Sequence, residues 1–97
     1  MKVEPLAPRM TFDEFCETHG LDLVAHERPL RHNLPRWHVS SPGLEIMGNG
    51  ILTSTFGDGD TPEEAKLAYA ERLRGERLVV NAYREERREF NAPNEWG

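Results

Sequence analysis

The chain has 97 residues, 37% hydrophobic and 30% charged, with a formal net charge of −5. That length is one domain, and the apolar content is too high for wholesale disorder. No apolar run approaches the ~20 residues that cross a bilayer, and the opening MKVEPLAPRM is not a secretory signal. The acidic balance argues against duplex nucleic-acid binding, because contacts to phosphate need basic side chains.

One cysteine, Cys16, excludes an internal disulfide framework and fits a cytoplasmic protein. Among the basic residues only Lys2 and Lys66 are lysines; the rest are arginines, as a GC-rich genome would favour.

Residues 1–10 carry Pro5 and Pro8 and read as an extended arm. Thr11 and Glu14 then form a capping box, so a helix starts at Phe12. Phe12, Phe15, Cys16 and His19 share one face of it; Asp13, Glu14, Glu17 and Thr18 share the other. Gly20 stands where a helix-ending glycine would. Residues 21–27 alternate as a strand with Leu21, Leu23 and Ala25 inward. Pro29 closes it, and a polar loop follows to Pro35. Residues 36–41 form a second strand, with Trp37 and Val39 inward. After the Pro42-Gly43 turn comes a short strand with Leu44 and Ile46 inward. Gly48-Asn49-Gly50 is a hairpin turn, and residues 51–56 are the next strand.

Residues 57–60 read as a flexible acidic loop opening a second helix. Thr61 is its N-cap, Pro62 its first residue and Glu64 its third. Ala65, Ala68, Tyr69 and Leu73 form the buried stripe, and Gly75 ends the helix. Residues 77–83 are a strand centred on Leu78, Val79 and Val80. Residues 84–97 read as a charged tail. The expected fold is one α+β domain: an antiparallel sheet of three to four strands, with two helices on one face, in the order α-β-β-β-α-β. A strand at 78–80 on the sheet edge would offer a homodimer contact.

Chemistry-bearing patterns are sparse. Cys16 and His19 are spaced C-x-x-H, but a metal site needs three or four ligands, and His26, His32 and His38 add no second paired motif. The same pair lacks an oxyanion hole for nucleophilic catalysis. Residues 57–60 resemble part of a calcium loop without its full spacing. The reading is a non-enzyme without metal or cofactor.

Three charged features remain. Two are acidic: Asp13, Glu14 and Glu17 with Asp22, and Asp58, Asp60, Glu63 and Glu64. The third is basic: Arg28, Arg31 and Arg36 with His26, His32 and His38. Arg84, Arg87 and Arg88 form a further basic run. Trp96 and Phe90 either present an interface or fold back over the core.

The run GDGDTPEEAKLAYAERL resembles the helix entry of HicB-type antitoxins, and the element order resembles double-stranded-RNA-binding domains. The resemblance implies a small α/β fold and, for the antitoxin, neutralisation of a small RNase toxin. RNA-binding relatives start this helix with lysines, where this chain has Glu63 and Glu64, with Lys66 nearby. Size, acidity and the lack of catalytic motifs also resemble phage accessory proteins, including anti-CRISPR inhibitors. The functional expectation is a phage-encoded, non-enzymatic inhibitor. It would block a host nucleic-acid-handling defence complex if the acidic sets converge and mimic a phosphate backbone. The alternatives are the antitoxin and a nucleic-acid-binding accessory protein acting through its arginines.

Overall fold

The computed structural model describes residues 10–29 and 34–97. Most of the expected N-terminal arm, together with Arg31 and His32, lies outside the described residues. The first helix, α1 (Phe12–His19), begins and ends where its local signals put it. Thr11 is extended, and its hydroxyl accepts from the Glu14 amide at 3.1 Å. The reciprocal half of the box differs: the Glu14 carboxylate accepts from the Thr11 hydroxyl instead of the backbone. Gly20 takes the left-handed conformation at φ 64°, and the Leu21 amide reaches back to Cys16 O at 2.8 Å. That is the Schellman closure, which places one residue at positive φ.

The strands are β1 (Val24–Glu27), β2 (Trp37–Ser40), β3 (Leu44–Gly48), β4 (Ile51–Thr53), β5 (Gly57–Gly59), β6 (Arg77–Val80) and β7 (Arg88–Asn91), with α2 (Pro62–Leu73) between β5 and β6. The class is α+β with antiparallel pairing throughout. The strands divide between two sheets, ordered β1-β2-β5 and β4-β3-β6-β7, where a single sheet was expected. The expected strand at 51–56 is shorter: β4 ends at Thr53, and the chain then passes to the other sheet at β5.

Residues 57–60 are not a flexible loop. Gly57 and Gly59 alternate onto the face of β5 that carries α2. A β-carbon on Gly57 would collide with Ala65 O and Tyr69 N and lie 2.7 Å from Tyr69 Cα. One on Gly59 would lie 2.5 Å from Ala65 N. The glycines therefore let the helix backbone rest directly on the strand, which no other residue allows.

The C-terminal segment is not a tail either. β7 pairs with β6 along its length, Leu78 opposite Phe90. This makes β6 an inner strand between β3 and β7, so it offers no edge for a dimer. Trp96 folds back, with ring centroids 5.1 Å from both Phe12 and Phe15. Its indole N–H donates to Ala70 O at 2.7 Å. These rings join Tyr69, Leu73 and Leu78 in the core. The Tyr69 hydroxyl, deep in that core, accepts from the Ser41 amide at 3.1 Å. Ala25 is exposed, contrary to expectation; β1 is an edge strand of its sheet.

Candidate functional site

Both helices begin with acids because carboxylates are favourable at the positive end of a helix dipole. Asp13 and Glu14 lie in the first turn of α1, Glu63 and Glu64 in that of α2. The structure brings these two sets together through Lys66, whose ammonium lies 2.7 Å from Asp13 Oδ1. Glu63 is one turn before Lys66 on α2, and Glu17 one turn after Asp13 on α1. Glu14 and Glu64 are engaged in capping; Glu64 accepts from the Asp60 amide at 3.0 Å. Among the described residues, Glu17 and Glu63 have no ion-pair partner. An apolar groove of about 470 Å³ adjoins this face, walled by Phe12, Leu67, Ala70 and Trp96.

Asp58 does not join the acidic face. It alternates onto the side of β5 away from α2, opposite His38 in the ladder, which in turn faces His26. Arg28 Nη1 lies 2.9 Å from Asp58 Oδ1, and His38 Nδ1 lies 3.5 Å from the same oxygen. Arg28 also donates to Pro35 O at 3.2 Å and approaches His38 Nδ1 to 2.9 Å. Phe56 packs beside His38 at 4.6 Å between centroids, with the Arg72 guanidinium over its ring. Arg36 is bound to Glu27 at the neighbouring edge.

Two of the three predicted arginines thus do share a surface with His26 and His38. Asp58 sits among them, although sequence reasoning placed it in a different set. The missed signal was period two: in Gly57-Asp58-Gly59 the aspartate opposes the glycines, as His38 opposes Trp37 and Val39. Among the described residues, Arg28 is paired with Asp58 and Arg36 with Glu27.

A guanidinium can only donate, so Nδ1 of His38 must accept from Arg28. The neutral ring therefore carries its proton on Nε2. Long-range ¹H–¹⁵N spectra of the neutral ring are expected to show an unprotonated Nδ1. A protonated Nδ1 would break the assignment of the Arg28 contact.

The other predicted contacts serve the fold to differing degrees. Arg88 donates to His19 O at 2.8 Å and so caps the end of α1. Arg87 reaches Ala82 O at 3.4 Å and lies 3.8 Å from Glu89. Arg84 is exposed beside Tyr83, which is 91% exposed. Trp96 packs against the aromatic core, as described, and also lines the groove.

Cys16 is a buried free thiol, and His19 stands at the end of the same helix. Burial pushes the Cys16 thiol up to about 11, with Asp13 adding and Lys66 partly offsetting. The His19 ring stacks on Phe90 at 4.0 Å, and burial, then Arg88, lowers its pKa. At pH 8 the native thiol is expected to react with a disulfide reagent at least ~10-fold more slowly than in urea, since only the thiolate attacks. Equal rates would place Cys16 at the surface.

Among the described residues, no group of three His, Cys, Asp or Glu side chains is arranged to hold a metal ion. No helix there is long and apolar enough to cross a membrane. No family model matches the chain, and no curated protein or solved structure gives a significant match. The class defined here is therefore one of architecture: a small α+β protein with two antiparallel sheets and an acidic helix face.

Proposed function

We propose that this protein is a non-enzymatic inhibitor, phage-encoded and cytoplasmic, that docks its acidic helix face on a basic surface of a host nucleic-acid-handling complex. The observation that carries this reading is the Asp13–Lys66 bridge. It joins the start of α1 to the first turns of α2 through Asp13 and Lys66, 53 residues apart in the chain, with Glu17 and Glu63 each one helix turn from that contact. A surface of that sign competes for sites that otherwise bind phosphate and steers the encounter with them. The sheet face around His38 is the weaker candidate. Arg28 and Arg36 there are already held by Asp58 and Glu27, which reduces what they offer a phosphate chain.

The test uses the pure protein against a panel of immobilised bacterial defence complexes that bind nucleic acid, with duplex DNA as competitor. Binding is expected to weaken steeply with salt and to be displaced by the duplex. The double variant Glu17→Lys/Glu63→Lys is expected to bind about 10-fold or more weakly, with unchanged circular dichroism. Absence of binding to every complex, or binding that survives both charge reversals, overturns the reading.

A further inference from the structure

Arg28 and His38 cannot keep their present contact once the imidazole gains a proton. Arg28 Nη2 lies 2.9 Å from His38 Nδ1. A guanidinium only donates, so the contact needs the Nδ1 lone pair of the neutral ring. The imidazolium has N–H donors at both nitrogens. Protonation therefore sets donor against donor and positive charge against positive charge. The His38 side chain is 25% exposed, so solvent protons reach it.

The acceptor that the new N–H requires is already in place. Asp58 Oδ1 lies 3.5 Å from the same Nδ1. It is buried, and among the described residues it accepts no hydrogen bond. Arg28 Nη1 is its ion-pair partner at 2.9 Å but is not aligned to donate to it. A buried carboxylate oxygen is rarely left without a directed donor. The ladder fixes the arrangement, because Asp58 stands opposite His38 on β5.

The other charged and titratable groups around the ring come from each neighbouring element. His26 of β1 faces His38 across the ladder, with ring centroids 6.5 Å apart. Phe56 packs beside the ring, and Arg72 of α2 stands over Phe56. Arg36, two residues earlier in the chain, is held by Glu27.

We propose that Arg28, His38 and Asp58 form a proton-driven latch. With the ring neutral, Nδ1 accepts from Arg28. When Nδ1 takes a proton from solvent, its N–H donates to Asp58 Oδ1, and Arg28 gives up the Nη2 contact while keeping its ion pair. Arg28 also donates to Pro35 O at 3.2 Å, and its amide donates to Arg36 O at 2.6 Å. It thus fastens the start of the β1–β2 connection to its end, and acidification loosens that fastening.

The experiment follows the full chain, labelled with ¹³C and ¹⁵N, by NMR from about pH 8 to about pH 5, the span in which histidines change charge. As the His38 ring nitrogens move to imidazolium positions, a slowly exchanging proton is expected on Nδ1. Rotation of the Arg28 guanidinium about its Cζ–Nε bond is expected to speed up at least about tenfold, as one charge-assisted hydrogen bond is lost. The midpoint of the Arg28 change is expected to coincide with that of His38. His38→Gln, whose amide oxygen accepts from Arg28 without titrating, is expected to hold Arg28 in one state throughout. His26→Gln is expected to leave the Arg28 response intact.

A His38 ring that stays neutral down to about pH 5 overturns the latch. So does Arg28 motion that is unchanged, or has a different midpoint, as His38 protonates; both are read on the unaltered chain. An Arg28 response that persists in His38→Gln, or vanishes in His26→Gln, gives the switching proton to another group and also overturns it.

Discussion

Gly57→Ala is expected to destabilise the protein by about 3 kcal/mol or more, because overpacking against a backbone has no flexible neighbour to give way. In a domain of this size that is a fall in melting temperature of roughly 15 °C. The new methyl would enter the backbone of α2 at Ala65 and Tyr69. The helix must then lift off β5, which also strains the bond from the Ser41 amide to the Tyr69 hydroxyl. Gly50→Ala is the control. Gly50 sits at φ 77° with nothing within 4 Å of an added β-carbon. Its cost is conformational alone, about 1 kcal/mol. Thermal unfolding followed by circular dichroism separates the two, and equal losses would mean that α2 does not rest on β5. The same displacement would carry Lys66 away from Asp13. Gly57→Ala is therefore also expected to weaken partner binding wherever the fold survives.

Trp96→Ala is expected to cost about 3 kcal/mol, at the low end for a large aromatic because the side chain is only partly buried. The loss combines ring contacts to Phe12 and Phe15 with the hydrogen bond to Ala70 O. Trp96→Phe keeps a ring in place and removes the indole donor, so it should lose about 1 kcal/mol. Urea unfolding of both variants apportions packing and hydrogen bonding. An unchanged midpoint for Trp96→Ala would return the C-terminal segment to the status of a free tail.

The helix starts were fully legible in the sequence. Thr11 and Thr61 cap amides three residues away, Pro62 opens α2, and Gly20 closes α1. Each signal acts within one helical turn, so the residues that carry it are adjacent in the chain. The inward positions Phe12, Phe15, Val39, Leu44, Tyr69 and Leu73 were legible for the same reason, since periodicity is local. Of the candidate site, the acids themselves and their positions at helix starts could be read.

What could not be read depends on partners far away in the chain. The pattern Gly57-Asp58-Gly59 suits a turn as well as a strand; only the approach of α2 makes it a strand with a reason for each glycine. Arg88–Asn91 looks like charged tail until β6 supplies its ladder. The split into two sheets follows from which strands pair, and no residue near 54–56 announces that the chain changes sheets there.

The surfaces divide in the same way. Sequence alone determined that two acidic helix starts exist and that their helices are capped. Tertiary packing decided that Asp13 meets Lys66, that Asp58 leaves the acidic set for His38 and Arg28, and that Trp96 turns inward. The physical reason is range. Capping and amphipathicity are settled within a turn or two, whereas a charged or apolar surface is a sum over elements that meet only when the chain has folded.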